Sequence, residues 1–176
     1  MADYSGGKGL RTYTVQESLN QHLGKVIRVS PTISASAYAD TEILFNLTEI
    51  PNAVSVPGGT SRLTGVSWFL NKEGVDPVFD VLFFEKNTTA LGTLNAAVDG
   101  TDTDIIQNNF IGSVELSSGD GNAVGTFRYN TWTPAATPQI LLQADTGSTS
   151  VYVAVIARDT VDYDSQLQLI FHVEYR

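Results

Sequence analysis

The chain has 176 residues, of which 42% are apolar and only 16% are charged, enough apolar material for the core of one domain. It contains no cysteine, which excludes a disulfide framework and thiolate ligands for a metal. The formal charge of −9 is unevenly divided, since residues 1–30 carry +2 and the remainder carries −11. An acidic body repels a nucleic-acid backbone, so we expect no nucleic-acid partner.

Residues 1–24 are predicted to form a flexible N-terminal arm that ends in one short helix. The segment from Ser5 to Gly9 contains three glycines and is expected to order only when a partner captures it. Residues 14–17 match a capping box, and apolar side chains then recur at helical spacing until Gly24, which favours a helix over residues 15–23. That apolar stripe consists of Val15, Leu19 and Leu23.

Neither a signal peptide nor a membrane span is indicated by the hydropathy pattern. The N-terminus has no apolar core of the secretory type, and no run approaches the roughly 20 apolar residues that a membrane helix needs. We therefore expect synthesis in the host cytoplasm and no membrane partner.

Beyond Gly24 the apolar pattern changes from helical to alternating, which predicts one β domain over residues 25–176. Short strands separated by glycine or proline turns, with no long helix between them, favour an all-β, antiparallel two-sheet β-sandwich of the jelly-roll type. The predicted strands are residues 25–28, 41–47, 61–70, 78–85, 111–116, 123–130, 138–144, 150–158 and 166–175.

The sequence contains two acidic groups that could in principle bind a metal ion. Asp99, Asp102 and Asp104 are weak candidates for calcium ligands, but they lack the spacing of an EF-hand loop. Thr101, three residues before Asp104, instead favours the start of a helical turn. The acids in residues 159–164 are interpreted as solvated residues between two strands. We predict no metal and no other cofactor.

The sequence offers little that could support catalysis. Its two histidines are His22, in the predicted helix, and His172, which alternation places with Glu174 on the polar face of the last strand. A serine nucleophile needs a base, an orienting acid and paired donors around it, and no spacing indicates such a group. We predict that the protein is not an enzyme.

Aromatic residues leave a second function class open, a carbohydrate-binding or receptor-binding module. Trp68 lies in a strongly apolar strand and is predicted to belong to the core. Trp132, at the end of a strand, is predicted to be an exposed or interface aromatic. Stacking on sugar rings would need several of these aromatics on one exposed face: Trp68, Tyr129, Trp132, Tyr152 and Tyr163.

Several segments resemble small virion structural proteins of tailed bacteriophages, of the capsid decoration or cement type. The likeness spans residues 25–175 and is carried by six segments: Asp40–Phe45, Thr48–Val54, Asn71–Phe84, Leu91–Ala97, Ser150–Val155 and Tyr163–Leu169. This resemblance implies a β-sandwich bound to the outside of a capsid, with the major capsid protein as partner. It implies no catalytic or ligand-binding residue.

From the resemblance and the residues together we expect a homotrimer that clamps neighbouring capsid subunits by buried area and avidity. The arm is expected to order on docking. Lys8 and Arg11 would meet acidic capsid groups, while Leu10 and Tyr13 would supply apolar contact. A glycan partner is expected only under the alternative, a receptor-binding module of a phage tail or neck.

Overall fold

The computed structural model describes residues 23–72, 77–117, 122–124, 126–134, 139–163 and 166–176, with the backbone alone described for 122–124. Ten strands and one short helix, α1, make up its regular structure. The strands are β1 (Gly24–Val29), β2 (Ile43–Ile50), β3 (Thr60–Leu70), β4 (Val78–Phe84), β5 (Phe110–Ser117), β6 (Asn122–Val124), β7 (Phe127–Trp132), β8 (Leu141–Gln143), β9 (Val151–Ala157) and β10 (Leu167–Tyr175). Helix α1 is Asp102–Gln107.

The strands form two antiparallel sheets with the connectivity of a jelly roll. The first sheet has the order β1-β10-β3-β7-β6, with β8 also pairing with β3, and the second has the order β2-β9-β4-β5. Most connections cross from one sheet to the other, so that strands distant in the sequence become neighbours. The expected all-β sandwich of jelly-roll type is thereby confirmed.

Most predicted strands are present within a few residues of their expected ends. The predicted strand 123–130 is wrong as a single element, because β6 and β7 occupy it and pair with each other as a hairpin. The predicted strand 138–144 shortens to β8, which shares β3 with β7, each pairing with a different half of it. The predicted helix 15–23 lies outside the described residues except for Leu23, so it stays a prediction. No helix in the described ranges is long and apolar enough to span a membrane.

The core lies between the two sheets and is closed by aromatic side chains that reach across it. Alternation places Trp68 of β3 and Phe79 of β4 on facing inner surfaces, where their rings meet edge to face at 6.1 Å. Phe83 of β4 and Phe171 of β10 make a similar contact at 5.9 Å. All four are essentially inaccessible to solvent. The prediction that Trp68 belongs to the core is confirmed.

The connection from β4 to β5, residues 85–109, covers the outer face of the second sheet. It builds a satellite core in which Phe84, Leu91 and Ala154 are buried together with Ile43. Asn46 ties the connection to β2, because its Oδ1 accepts from the backbone N–H of Leu91 and its Nδ2 donates to the carbonyl of Gly92. One sheet of the sandwich is therefore shielded by the chain itself.

Helix α1 sits within this connection and uses the acidic residues that the sequence offered as weak calcium ligands. Thr101 is its N-cap, and its hydroxyl accepts from the backbone N–H of Asp104. In return the Asp104 carboxylate accepts from the backbone N–H and hydroxyl of Thr101, which completes a capping box. The hydrogen bonds from Thr101 lower the pKa of the Asp104 carboxyl. The predicted helical start at Thr101 is confirmed.

Asn108, fully buried at the end of α1, anchors the same connection. Its Oδ1 accepts from the backbone N–H groups of Thr88 and Thr89, and its Nδ2 donates to the carbonyl of Thr89. A buried amide in this position satisfies three backbone groups of the connection.

We predict that Asn108→Ala lowers the free energy of unfolding by about 2–3 kcal/mol, because backbone groups in the connection lose their partner inside the protein. Asn108 has ordinary helical backbone angles, so alanine introduces no strain at this position. Urea unfolding of the full chain measures the change. Gln107→Ala, on the exposed side of the same helix, is the matched control and should change stability by less than about 0.5 kcal/mol. Equal stability of the two variants would contradict this role for Asn108.

Candidate functional site

The outer face of the first sheet, which the described part of the connection 85–109 does not cover, is the main candidate surface. Antiparallel register fixes which side chains share it, because directly opposed residues point the same way. Three rows cross it. They are Val26, His172 and Gly65; then Arg28, Ile170, Ser67 and Thr131; then Gln168, Phe69 and Tyr129.

An aromatic cleft lies where the third row meets the end of the sheet. Phe69 of β3 and Phe127 of β7 stack with ring centroids 4.8 Å apart and planes inclined by 30°. They line a cleft of about 330 Å³, and none of the described residues that line it is charged. Its polar groups are the side chains of Ser30, Asn71, Gln166 and Gln168.

The polar groups of the cleft hold one another in place. The Nδ2 of Asn71 donates to Oε1 of Gln166 at 2.8 Å, and the Nε2 of Gln168 donates to Oγ of Ser30 at 3.1 Å. A primary amide offers two donors and two acceptor lone pairs, so each side chain has capacity left for a ligand. The cleft is a set of fixed amides beside two aromatic rings.

Sequence reasoning missed this cleft, although one signal was available. Phe69 is an aromatic residue at a polar-face position of β3, between the inward-facing Trp68 and Leu70. Phe127 shares its face only because β7 pairs with β3, and Gln168 does so only because β10 lies on the other side. Those pairings join distant parts of the sequence and cannot be counted from spacing.

A second feature is the root of the N-terminal arm, at the opposite end of β1 from the cleft. Leu23 and Val26 are 54% and 47% exposed there. The carbonyl of Leu23 accepts from the backbone N–H of Tyr175. Lys25 donates to the carbonyl of Asn52, which also accepts from the Tyr175 hydroxyl at 2.8 Å. Two exposed apolar side chains are thus presented on a tethered edge strand.

The arm residues proposed as a docking element lie outside the described residues. Lys8, Leu10, Arg11 and Tyr13 therefore stay a prediction, and the structure assigns them no position. Only their point of attachment is given, at Leu23 and Gly24.

Trp132 is half-buried and packs against the main core. It stands on the inner side of β7, opposite Val66, at the margin of the sandwich. There it lines a cavity of about 260 Å³ with Trp68 and Glu115. Its predicted role at an interface stays a prediction.

The other aromatics considered for sugar stacking do not share an exposed face. Trp68 and Tyr163 are buried, and Tyr152 packs against the satellite core. Tyr129 is 36% exposed and lies on the outer face beside Phe69. The aromatic surface that does exist is built on Phe69, Phe127 and Tyr129, and only Tyr129 was among the expected residues.

Ser67 and His172 form the one contact that resembles a catalytic pair in the described part of the chain. The Ser67 Oγ lies 3.1 Å from Nε2 of His172 and 2.9 Å from the hydroxyl of Thr131. Within the described residues no carboxylate hydrogen-bonds to this imidazole, so no triad is assembled. As predicted, His172 is on the polar face of the last strand.

The acidic residues do not converge on a metal site among the described residues. Asp104 is used in capping, and a further hydrogen bond comes from the hydroxyl of Thr89. In the second acidic group, Asp159 accepts from the backbone N–H of Val78 and from the hydroxyl of Tyr163. The prediction that Asp159 is a solvated residue is wrong, because its carboxylate holds the backbone of Val78 and the hydroxyl of Tyr163. Asp164 lies outside the described residues.

Burial dominates the titration of this pair. Desolvation raises the pKa of Asp159 above its ordinary value, against the lowering effect of its hydrogen bonds. Desolvation, together with the nearby Asp159 carboxylate, also raises the pKa of Tyr163. Both groups hold β4 to the segment after β9, and neither faces the cleft.

Comparisons with known proteins give no family. No protein-family model and no curated protein matches the chain. Its fold is similar to a chain of an expanded equine rhinitis A virus particle, with 12% identity, a TM-score of 0.34, and coverage of 89% of this chain and 73% of that one. A chain of the Israeli acute paralysis virus particle has 10% identity and a TM-score of 0.33, with coverage of 88% of this chain and 71% of that one. A chain of a Macrobrachium rosenbergii nodavirus particle has 10% identity and a TM-score of 0.31, with coverage of 87% of this chain and 93% of that one. These TM-scores are low, and the fold assignment rests on the strand order.

We predict that Asp159→Asn changes how stability depends on pH. The raised folded pKa of Asp159 means that its protonated form stabilises the fold, an effect present below the unfolded pKa and lost as pH rises through the folded value. Asparagine keeps the shape but does not titrate. The unfolding midpoint of the variant relative to the original chain should therefore rise between acidic and neutral pH, measured by urea titration at several pH values. Glu115→Gln, at an exposed position of β5, is the control. A difference that is constant with pH would contradict the assignment.

Proposed function

We propose that this chain is a virion structural protein that binds the outside of a phage capsid and stabilises the head, in the manner of a decoration or cement protein. The observation that carries the proposal is the arm root. An arm that carries Lys8 and Arg11 joins an acidic jelly roll beside an edge strand, where Leu23 and Val26 are exposed to solvent. The resemblance of the sequence segments to phage decoration proteins supports the same function.

The mechanism is adhesion by shape and charge. In the predicted helix, Val15, Leu19 and Leu23 would form a stripe that leads to the exposed Val26, so arm and edge strand together would form one apolar strip. Burying such a strip against the major capsid protein supplies the binding free energy, while Lys8 and Arg11 steer the encounter. Because a capsid repeats its subunits, weak contacts of this kind multiply through avidity.

The tethering around Tyr175 explains why the arm root could transmit force. Both Lys25 and Tyr175 bond to the carbonyl of Asn52, and the Lys25 ammonium lies 5.8 Å from the centre of the Tyr175 ring. Edge strand β1 is thereby fixed to the loop after β2 as well as to β10. A pull on the arm would be shared by both sheets.

We predict that reversing the arm charges, by Lys8→Glu with Arg11→Glu, leaves the protein folded and reduces its binding to capsids at least about tenfold. The measurement is co-sedimentation of the full chain with expanded capsids of the virus that encodes it, at low salt. Lys72→Glu is the matched control, because Lys72 lies after β3, outside both the arm and the covering connection, in a surface pair with Asp162. Unchanged decoration by the arm variant would remove the arm from the mechanism. Binding by neither the variant nor the original chain would overturn the proposed function.

We also propose that the chain acts as a homotrimer, with contacts between subunits made through the covering connection. This layer exposes Ile106, and Phe110 follows it at the start of β5; the two are 71% and 44% accessible. In the proposed trimer they would contribute to a contiguous apolar patch, which is typical of surfaces that associate. A stable contact would bury on the order of 1,200–2,000 Å².

Light scattering of the purified chain should give three times the mass of one chain, and Ile106→Ser should shift the equilibrium towards monomer. Val56→Ser, at a similarly exposed site in the loop after β2, is the control and should leave the mass unchanged. A monomeric original chain at all accessible concentrations would refute the trimer without bearing on capsid binding.

A further inference from the structure

We propose that the aromatic cleft at the end of the first sheet binds a neutral saccharide. The cleft combines the stacked rings of Phe69 and Phe127 with the amides of Asn71, Gln166 and Gln168. A pyranose ring has the complementary chemistry, since one face carries C–H groups that pack on aromatic rings and the edge carries hydroxyls that both donate and accept. Amide side chains suit such hydroxyls, because they too donate and accept.

The charges favour a neutral ligand over an acidic sugar or a phosphate. None of the described residues that line the cleft is charged, and the chain as a whole carries a net charge of −9. A negative field of that sign lowers the local concentration of anions. A volume of about 330 Å³ lies at the lower end of small-molecule sites, which fits one or two sugar rings.

Hydrogen bonds hold the polar side chains of the cleft in place before a ligand binds. The Asn71–Gln166 hydrogen bond joins the end of β3 to the start of β10, and the Gln168–Ser30 bond joins β10 to the residue after β1. Three strands of the sheet therefore hold the amides, and less side-chain entropy is lost when a ligand binds. The ring of Phe127 is held by its stack on Phe69.

The position of the cleft gives this binding a purpose on a virion, a step that rests on the proposed function. The arm joins β1 at Gly24, whereas Ser30 at the cleft follows the other end of the same strand. Six residues of strand separate these ends by about 20 Å. If the arm holds the capsid, the cleft at the far end of the sheet points away from the shell. It would then meet glycans on a cell surface, so the protein would link the capsid to a sugar.

The test uses the full chain, isotope-labelled for heteronuclear NMR and titrated with four neutral oligosaccharides: maltotetraose, cellotetraose, laminaritetraose and N-acetylated chitotetraose. For at least one of them, we expect the side-chain amide signals of Asn71, Gln166 and Gln168 to shift and saturate with a Kd of about 1 mM or tighter. Failure of all four to shift these signals would overturn the proposal. Shifts confined to other parts of the protein would do so as well.

Variants locate the site. Gln166→Ala removes an exposed amide, and Phe127→Leu removes the ring but keeps an apolar side chain; each should weaken binding about tenfold or more. Gln143→Ala, an exposed glutamine on β8 at the opposite end of β3, is the matched control and should bind normally. If Phe127→Leu does not fold, Gln166→Ala alone decides. Equal binding by Gln166→Ala and the original chain would overturn the assignment.

The saccharide titration contains no capsid and the co-sedimentation contains no saccharide, so either can fail independently. If both succeed, decorated capsids should be retained on a resin that carries the bound oligosaccharide, and undecorated capsids should not. Retention of both to the same extent would refute the outward orientation of the cleft.

Discussion

Packing between the two inner sheet faces is the constraint on which the rest of the structure depends. The rings of Trp68, Phe79, Phe83 and Phe171 meet across the sandwich, and their burial fixes the register of the strands that carry them. A shift of one residue would turn every one of those side chains out to solvent. Once the inward residues are set, the outward ones are set too, and the functional surfaces consist of what remains.

The outer faces of the two sheets differ in how far the rest of the chain covers them. Residues 85–109 fold over the second sheet and are fixed there by Asn46 and Asn108, two buried or half-buried amides that serve backbone groups of the connection. No described part of that connection covers the first sheet. The outer face of the first sheet presents an aromatic cleft at one end. At the other end it presents exposed apolar residues, beside Gly24, where the arm joins the sheet. The two outer faces differ because the connection of residues 85–109 covers the outer face of the second sheet.

Under the proposed function, a protein arranged in this way works through contact. Asp159 and Tyr163, whose pKa values are raised by burial, bond to each other, and Asp159 also bonds to the backbone of β4. The Ser67–His172 contact has no acid in the described part of the chain. The arm root and the cleft, the two proposed binding regions, lie about 20 Å apart on one sheet and are joined by its strands. Attachment by the arm and capture by the cleft would be complementary uses of that separation.

Local patterns in the sequence by themselves determined most of the strands, the inward residues such as Trp68, and the capped turn at Thr101, because alternation and capping act between residues near in sequence. They also indicated the polar face of His172. Tertiary structure alone decided that Phe69, Phe127, Asn71 and Gln168 surround one cleft, and that Asp159 bonds to Val78 and Tyr163. These residues come together through pairing of β3 with β7 and β10, and through the packing of distant loops. Strand pairing in a jelly roll joins segments that are far apart in the chain, so no spacing along the sequence records it.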